Sequence, residues 1–466
     1  MAFLVLILSG CSGFLDINTD PNSPENPGDL DLLLADMTAT TSYNLVGGGN
    51  FTRYAARWIQ HVADNSTPPS EDTYRVNTSS ANNEWQYVSY ASILINGKKL
   101  VELAEAKEQW HHAGIAKILM AHNFAMLTDF WGDIPFSQAL LREQNSKPSY
   151  DDQESVYEGI QRLLDEGIEA LERPVGIGAG NGDLYLGGDA EAWIRVANAL
   201  KGRYYLRLTN APGKNAQQQA QLALEAVGKA MQGPADEARF TYHPDPGQES
   251  PWFQWVDKFA NTMRISHFMV SLLQSKNDPR LPVMADLNNA GGYIGHRNGG
   301  DPVTPLAAIS GIGAYYLDPD FDVPLITFAE QKFIEAEAQW ILGNTDAART
   351  AYADAVRANM TELSGKGETG EAITTAQQEA YLAANPLNTL EDLITQKYIA
   401  AYVVSSFEAY NDYRRTGYPS ALQPAENADY DQIPTRMIYP DTEINNNQSN
   451  VPAGVTLTSK VWWDAN

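Results

Sequence analysis

Cysteine is nearly absent from this sequence, because Cys11 is the only one in 466 residues. If its thiol is acylated, the mature chain has no free thiol. Disulfides, thiol catalysis and cysteine-ligated metals are then excluded. The chain must be stabilised by a buried core, and 43% hydrophobic residues at this length are enough to form one.

Basic side chains are scarce relative to acidic ones. The 58 Asp and Glu residues outnumber the 32 Lys and Arg residues, which gives a formal net charge of −26. Such a surface repels phosphate backbones, so nucleic-acid binding is excluded, and highly anionic substrates are disfavoured. Neutral ligands are the natural partners of this chain. The alternative is that the acidity only keeps the protein soluble.

Long apolar runs are also missing, and the one near the N-terminus is short. Residues 2–8 are apolar but far fewer than the ~20 that cross a bilayer, which is typical of a signal peptide. The run ends in Leu8-Ser-Gly-Cys11, which resembles a bacterial lipobox. We therefore predict a signal peptide over 1–10 and a lipid (palmitate) on Cys11 that anchors the protein to a membrane. A Pro- and Asn-rich tether over 11–28 is expected to follow.

Signatures of common enzyme classes are missing as well. The sequence has no H-E-x-x-H, Walker A or G-x-S-x-G pattern, and its seven histidines are scattered. A glycosidase pair could be drawn almost anywhere among 58 carboxylates, so their number carries no argument. We predict a protein that is not an enzyme and has no cofactor. Asp318, Asp320 and Asp322 form an oxygen-rich run that could bind Ca²⁺, and a solvated loop is the alternative.

Hydrophobic periodicity predicts an all-α protein. Apolar positions recur three and four residues apart in several stretches, and clear period-2 strand patterns are few. One such stripe runs from Ile115 to Phe130, and another, from Val156 to Leu171, follows a capping signal that ends at Asp152. Amphipathic helices of this kind bury their stripes when antiparallel pairs stack. The sequence shows no clean repeat at a period of ~34 residues.

Three regions lack helical periodicity. The glycine-rich segment 173–189 has no G-x-G-x-x-G pattern and no preceding strand, so we interpret it as a flexible loop. Residues 233–323 are rich in Pro, Gly, Asp and aromatics, and long irregular excursions usually carry function. We predict one unit over 29–466, with a helical core at about 29–232 and 324–416, a loop-rich, ligand-side excursion at about 233–323 and an irregular tail over 417–466.

Several sequence strings occur together in this chain. In Asp129-Phe-Trp-Gly-Asp-Ile-Pro135-Phe-Ser-Gln-Ala-Leu140, the glycine permits a helix end and the proline prevents continuation. The other strings are Phe14-Leu-Asp-Ile-Asn18, Asn277-Asp-Pro-Arg-Leu281, Gly295-His-Arg-Asn-Gly299, Phe328-Ala-Glu-Gln-Lys-Phe333, Tyr410-Asn-Asp-Tyr-Arg-Arg-Thr-Gly-Tyr-Pro419 and Pro434-Thr-Arg-Met-Ile-Tyr439. Together they resemble the SusD/RagB family of surface lipoproteins from Bacteroidetes-type bacteria, from about residue 11 to residue 463.

The resemblance implies an all-α core of tetratricopeptide-like helix pairs, capped by long irregular loops. In that family the protein forms a lid over a TonB-dependent, SusC-like outer-membrane transporter. It binds a glycan, or in some members a peptide, and delivers it to the pore without catalysis. We therefore expect a surface-exposed outer-membrane lipoprotein that binds oligo- or polysaccharide. A peptide-binding lid of the same type of importer and a helical scaffold with no ligand of its own are the alternatives.

Aromatic side chains in loops are the candidates for ligand binding. Exposed rings can stack on the C–H faces of neutral sugars, and polar side chains can hydrogen-bond to the hydroxyls. A loop ring that only fills the core is the alternative at each position. The predicted ligand-binding residues are Tyr74, Trp252, Trp255, Tyr293 and Tyr315, with Arg75 and Asn77 as polar partners.

Other conspicuous residues are predicted to be structural. Trp131 lies at the end of an apolar stripe and is expected to pack, and His122 lies within that stripe as a core histidine. Asp133, Arg414 and Arg415 belong to the family strings and are expected to hold helix ends and loops together rather than to contact a ligand.

Overall fold

The computed structural model describes residues 29–67, 69–141, 144–175, 177–258 and 261–464. Helices dominate these residues and strands are short, which confirms the prediction of an all-α fold. The helices are α1 (Leu30–Thr40), α2 (Asn50–Trp58), α3 (Ile95–Ala106), α4 (Trp110–Trp131), α5 (Gln153–Leu171), α6 (Ala190–Arg207), α7 (Ala216–Val227), α8 (Pro251–Lys258), α9 (His267–Ser275), α10 (Leu281–Met284), α11 (Phe328–Ile341), α12 (Thr345–Leu363), α13 (Thr375–Ala384), α14 (Leu390–Ala400), α15 (Ser406–Thr416) and α16 (Asp441–Asn446). Wider, π-helical turns form Thr41–Gly47 after α1 and Asn83–Leu94 before α3. The strands are β1 (Val62–Asp64), β2 (Arg239–Phe240), β3 (Met263–Ile265) and β4 (Val323–Pro324).

Helix ends follow local signals in the sequence. Asp152 caps α5, and its side chain accepts a hydrogen bond from the Ser155 backbone N–H at 2.8 Å. Helix α4 ends at Gly132, where φ is +79°, and α15 ends at Gly417, where φ is +75°. Positive φ values favour glycine because it lacks a Cβ. These three boundaries could therefore be predicted from sequence.

Helix α4 is buried on all sides, whereas the stripe from Ile115 to Phe130 predicts one buried face. Between His112 and Trp131, only Lys117 is more than slightly exposed. The helix packs against α1, α3, α5 and α6, and it also contacts both π-helical segments. A helix that is enclosed by neighbours carries apolar side chains on every face. The predicted stripe is therefore only part of the buried surface of α4.

Successive helices pack side by side. The contacts run from α3 through α4, α5 and α6 to α7, and they continue from α7 to α11 and α12. Small residues allow close approach: a Cβ added to Gly114 of α4 would lie 2.8 Å from the carbonyl oxygen of Gly167 on α5. This arrangement confirms the prediction of tetratricopeptide-like helix packing.

Buried charges join helices that are far apart in sequence. Arg415 of α15 donates two hydrogen bonds to the Glu337 carboxylate of α11, at 2.6 and 2.9 Å, and both side chains are at most 2% exposed. Arg207 of α6 pairs with Glu408 of α15. Burial raises the pKa of Glu408, but the guanidinium groups of Arg207 and Arg203 together outweigh it and hold the pKa below its usual value. Arg415 therefore holds helices together, as predicted.

The segment 233–323 departs from the helical stack but contains short helices and ladders. Strand β3 pairs antiparallel with β1, with Val62 opposite Ile265. Strand β2 pairs antiparallel with β4, with Arg239 opposite Pro324. The first ladder brings the N-terminal loop after α2 beside a loop that lies about 200 residues later in the sequence. Only part of this excursion is therefore irregular.

The tail beyond α15 packs on the helical core. Met437, Tyr439 and Trp463 are at most 3% exposed, and the Trp463 indole N–H donates to Asp129 of α4 at 2.9 Å. The predicted signal peptide and tether, 1–28, lie outside the described residues. Within the described ranges, none of the helices combines the length and apolar character needed to span a membrane.

Candidate functional site

Three of the predicted binding aromatics lie inside the fold. Tyr74 is 1% exposed, and its hydroxyl accepts a hydrogen bond from the Ala425 backbone N–H at 2.9 Å. Trp252 and Trp255 on α8 are 1% and 7% exposed, with ring centroids 5.1 Å apart. Two arginines of α2 lie about 5 Å from the Trp255 ring centroid. In this conformation none of the three rings presents a free face to a ligand.

The two predicted polar partners are accessible but engaged within the protein. The Arg75 guanidinium pairs with Asp429 at 3.0 Å, and both side chains are about half exposed. The Asn77 side-chain oxygen accepts hydrogen bonds from the Ser79 backbone N–H at 2.9 Å and from its hydroxyl at 2.6 Å. Asn77 therefore shapes a local turn, and its role in binding stays a prediction, like that of Arg75.

Tyr293 and Tyr315 are both half-buried and have acidic neighbours. Burial and then Glu368 raise the pKa of Tyr293. Tyr315 lines a cleft of about 670 Å³, which we call the Tyr315 cleft, and Lys366 lies 5.5 Å above its ring centroid. Seven of the twelve residues that line this cleft carry a charge. Charged side chains therefore form most of this cleft, and the role of Tyr293 and Tyr315 in binding stays a prediction.

Another cleft, of about 640 Å³, lies where the end of α1 and the π-helical segment Thr41–Gly47 face the loop after β2. Such a volume is within the usual range of ligand pockets. We call it the Tyr43 cleft. Its main lining residues are Tyr43, Asn44, Phe240, Tyr242, His243 and Gln248.

Aromatic rings form both sides of the Tyr43 cleft. Tyr43 and Phe240 are half-buried, and His243 is exposed. Phe240 packs against Tyr242 with ring centroids 4.9 Å apart, which fixes the orientation of this pair. Partly exposed rings of this kind can stack on the apolar face of a sugar, which fully buried rings cannot.

Hydrogen bonds hold these rings in place. The Tyr43 hydroxyl donates to the Gln254 side-chain oxygen at 2.8 Å, and the Gln254 amide donates to the Glu249 carbonyl oxygen at 2.8 Å. The Ser42 hydroxyl lies 2.7 Å from the Tyr242 hydroxyl. Burial raises the pKa of Tyr43, so its hydroxyl remains a hydrogen-bond donor at neutral pH. The cleft is therefore preformed, with hydroxyl groups beside its rings.

The Tyr43 cleft adjoins one of the predicted segments. Gln254, which bonds to Tyr43, lies between Trp252 and Trp255 on α8. The sequence prediction thus selected Trp252 and Trp255, the largest rings of this segment, and both rings are buried in the core. A signal for His243 was present, because an exposed turn of Pro and Gly follows it, but nothing local distinguished Tyr43 from other helical apolar residues.

Asp318, Asp320 and Asp322, the candidate Ca²⁺ ligands, do not form a metal site. Within the described ranges, no group of three or more His, Cys, Asp or Glu side chains is placed to hold a metal ion. Asp318 and Asp320 are exposed, and burial followed by the neighbouring Asp320 raises the pKa of Asp318. The exposure of Asp318 and Asp320 agrees with the solvated-loop alternative.

Two strongly perturbed carboxyl groups are buried, and one of them, Glu237, bonds to Arg239, which lines the Tyr315 cleft. Burial raises the pKa of Asp72 to about 7, although Arg57 lies beside it, and burial likewise raises the pKa of Glu237 to about 7. Perturbed groups of this kind mark catalytic sites when they line a cleft. Asp72 is fully buried, Glu237 is 6% exposed, and neither lines the Tyr43 or the Tyr315 cleft.

Solved structures share this fold. A SusD/RagB family protein from Bacteroides thetaiotaomicron is 24% identical with a TM-score of 0.82, over 94% of this chain and 99% of that chain. A chitin-binding protein is 23% identical with a TM-score of 0.79, over 94% and 100% of the two chains. A chitin-binding SusD homolog from Flavobacterium johnsoniae is 20% identical with a TM-score of 0.73, over 94% and 97%. At these identities the likeness shows the fold alone.

Sequence comparison extends the likeness to the family. No relative was found among curated protein sequences. A family model named SusD-like and described as "Starch-binding associating with outer membrane" matches residues 21–440. The family consists of binding proteins rather than enzymes, which confirms the prediction of a non-enzymatic protein. The match covers most of the chain, and the chain therefore belongs to the SusD-like family of outer-membrane-associated binding proteins.

Proposed function

We propose that this protein binds a neutral oligo- or polysaccharide in the Tyr43 cleft at the cell surface. It would then deliver the glycan to a TonB-dependent, SusC-like outer-membrane transporter. One observation carries the proposal: partly exposed rings and hydrogen-bonding groups line a single preformed cleft in a member of this family. Two proteins of the same fold are described as chitin-binding, which is consistent with a glycan ligand.

The chemistry of the cleft favours a neutral sugar. Tyr43 and Phe240 supply ring surfaces, and Asn44 and Gln248 supply amide groups that can both donate and accept hydrogen bonds. The one carboxylate in its lining, Glu249, is paired with Lys258 at 2.9 Å. The net charge of −26 further disfavours an anionic polysaccharide.

The location is part of the same proposal. We propose that Cys11 carries the lipid anchor and that 11–28 connects it to the helical unit, which keeps the cleft outside the outer membrane. Tyr293 and Tyr315 are not assigned to the Tyr43 cleft. They remain candidates for a further contact, together with Arg75 and Asn77.

Calorimetric titration with maltoheptaose and chitohexaose tests the binding function. Replacing two exposed lining residues, in the variant His243→Ala/Gln248→Ala, should weaken binding about tenfold, because each loses contacts worth about 0.5–1.5 kcal/mol. The matched control is His267→Ala/Gln432→Ala, which changes the same residue types at exposed positions away from the cleft. The control should bind as the unaltered protein does, and both variants should keep its melting temperature.

Other results would favour the alternatives. Saturable binding of peptides with no binding of either sugar would indicate a peptide lid. Co-purification with a transporter without any ligand binding would indicate a scaffold. Equal loss of affinity in the control and the cleft variant would contradict the assignment of the Tyr43 cleft.

A further inference from the structure

A separate cleft of about 450 Å³ lies between the π-helical segment Asn83–Leu94, the loop after α4 and helix α16. We call it the Gln86 cleft. It shares no lining residue with the Tyr43 cleft. Its polar lining residues include Gln86, Asn145, Thr442 and Asn446, and its apolar ones include Leu140.

The Gln86 cleft is almost free of charge. Among the described residues that line it, Glu443 carries the only formal charge, whereas the Tyr315 cleft has seven charged lining residues. Glu443 is also occupied, because it accepts hydrogen bonds from the Tyr150 hydroxyl at 2.9 Å and from the Asn447 amide at 3.2 Å. None of the described lining residues is basic, so this lining offers an anionic ligand no counter-charge.

The lining combines amide groups with apolar surface. The Gln86 side chain is exposed and hydrogen-bonds to no described residue, so its donor and acceptor are free. The Asn446 amide donates to the Thr442 carbonyl oxygen at 2.8 Å, and its own side-chain oxygen is directed to no described partner. Tyr90 and Leu140 supply half-buried apolar surface beside these groups. Amides beside apolar surface match the alternating hydroxyls and C–H faces of a neutral sugar.

Hydrogen bonds hold Tyr90 and the start of α16 beside the cleft. The Tyr90 hydroxyl donates to the Pro135 carbonyl oxygen at 2.7 Å, which joins the helix to the loop after α4. Helix α16 is held by a hydrogen bond from the Asp441 backbone N–H to the Thr78 carbonyl oxygen at 2.9 Å. A ligand would therefore bind without the entropy cost of ordering these segments.

The π-helical segment that carries Gln86 also carries an exposed ring. Tyr87, next to Gln86 in sequence, is 61% exposed. Glu84, three residues earlier, contacts Asn50 at the start of α2, and α2 follows the π-helical segment that carries Tyr43. The π-helical segment that carries Gln86 and Tyr87 is thereby joined to the start of α2, the helix that follows the segment with Tyr43.

We propose that the Gln86 cleft is a second binding site for a neutral sugar segment. The proposal rests on the glycan-binding function proposed for the Tyr43 cleft, and it adds that the preferred ligand is a polymer held at two places. Two linked contacts raise the apparent affinity for a long chain well beyond that of either site alone.

Titration of the full-length protein with maltoheptaose and chitohexaose measures the number of sites. The unaltered protein should bind two molecules of the recognised oligosaccharide. Variant Gln86→Ala/Asn446→Ala should bind one, with a Kd at the remaining site within about twofold of the original value. For the corresponding long polymer its apparent affinity should fall about tenfold or more. The matched control, Gln432→Ala/Asn445→Ala, alters an exposed glutamine and the exposed neighbour of Asn446 and should keep two sites.

The outcomes separate the two proposals. A single site that is lost in His243→Ala/Gln248→Ala and retained in Gln86→Ala/Asn446→Ala would overturn the second site and leave the Tyr43 cleft intact. A single site with the reverse pattern would overturn the Tyr43 assignment. Absence of saturable binding of both sugars would overturn both proposals.

Discussion

At the scale of single residues, burial decides which side chains can act on a ligand. Trp252 and Tyr74 are each 1% exposed, whereas His243 and Gln248 are exposed in the Tyr43 cleft. The sequence shows where an aromatic ring occurs but not whether it is buried, because a tryptophan in a loop-rich segment can face either the core or the solvent. Large rings face the core more often, since each buries 150–250 Å² of surface.

Arg415 shows how much a buried ion pair matters to stability. Arg415→Ala would leave the Glu337 carboxylate uncompensated at 0% exposure, so we expect a loss of about 3–5 kcal/mol in the free energy of unfolding. The matched control is Arg349→Ala, because Arg349 is 53% exposed and lies 3.9 Å from a fully exposed Asp346. The control should lose about 1 kcal/mol or less. Urea unfolding measures both.

One outcome of this unfolding experiment would contradict the expected role of the Arg415–Glu337 pair. If Arg415→Ala costs no more than Arg349→Ala, the buried pair does not hold α11 and α15 together. A double variant, Arg415→Met/Glu337→Leu, should recover part of the lost stability, because removing both charges avoids the unpaired carboxylate.

At the scale of helices and loops, the predictable parts are those that local sequence controls. The start of α5 at Asp152 and the end of α4 at Gly132 follow from capping and backbone preference. The Tyr43 cleft depends instead on contacts between segments about 200 residues apart, such as the bond between Tyr43 and Gln254. No local sequence pattern predicts such a contact. From the sequence alone, Tyr43 is indistinguishable from other apolar positions of an N-terminal helix.

Two buried histidines join separate elements and make those junctions sensitive to acid. His61, after α2, lies 2.9 Å from the Ser406 hydroxyl and 3.1 Å from the Tyr398 carbonyl oxygen. His122 of α4 lies 2.7 Å from the Tyr204 hydroxyl of α6. Burial lowers the pKa of both imidazoles from about 6.5 to about 3, so both are neutral in the folded protein at pH 5.

We therefore expect these histidines to reduce stability as the pH falls from about 6.5 toward 3, where the unfolded chain binds protons that the folded chain does not. Above pH 6.5 their stabilising effect is fully present. Each histidine contributes a slope of up to about 1.4 kcal/mol per pH unit. His122→Gln should lower the slope of unfolding free energy against pH by about that amount, as measured by urea unfolding between pH 5 and 7.5.

The slope of unfolding free energy against pH must be compared between variants, because other groups also contribute to it. Burial raises the pKa of Asp72 and Glu237 to about 7, so these two groups bind protons more tightly when folded and stabilise the protein as the pH falls. They offset part of the histidine effect in every variant. The control His243→Gln changes an exposed histidine and should keep the original slope. An unchanged slope in His122→Gln would contradict the expectation.

At the scale of the whole molecule, the helical unit and the proposed lipid anchor belong to different parts of the sequence. Residues 30–464 contain the helices and the packed tail, and Cys11 lies outside this unit. Family membership associates the protein with the outer membrane, and the proposed lipid on Cys11 would supply the attachment. Each buried CH₂ of a lipid chain contributes about 0.8 kcal/mol, so more than one chain gives a stable anchor.

Cys11→Ser tests this separation, because it removes the only thiol that could carry a lipid. We expect the unaltered protein to sediment with membranes and to carry the mass of a lipid at its N-terminus, whereas Cys11→Ser should stay in the supernatant without it. Both clefts are lined by residues that follow position 38 in the sequence, so the released variant should keep its melting temperature and its affinity for the sugar that the unaltered protein binds. If Cys11→Ser still sediments with membranes although its signal peptide has been removed, a lipid on Cys11 is not what attaches the protein. Release of that material by high salt without detergent would then indicate a mainly ionic contact with a membrane component.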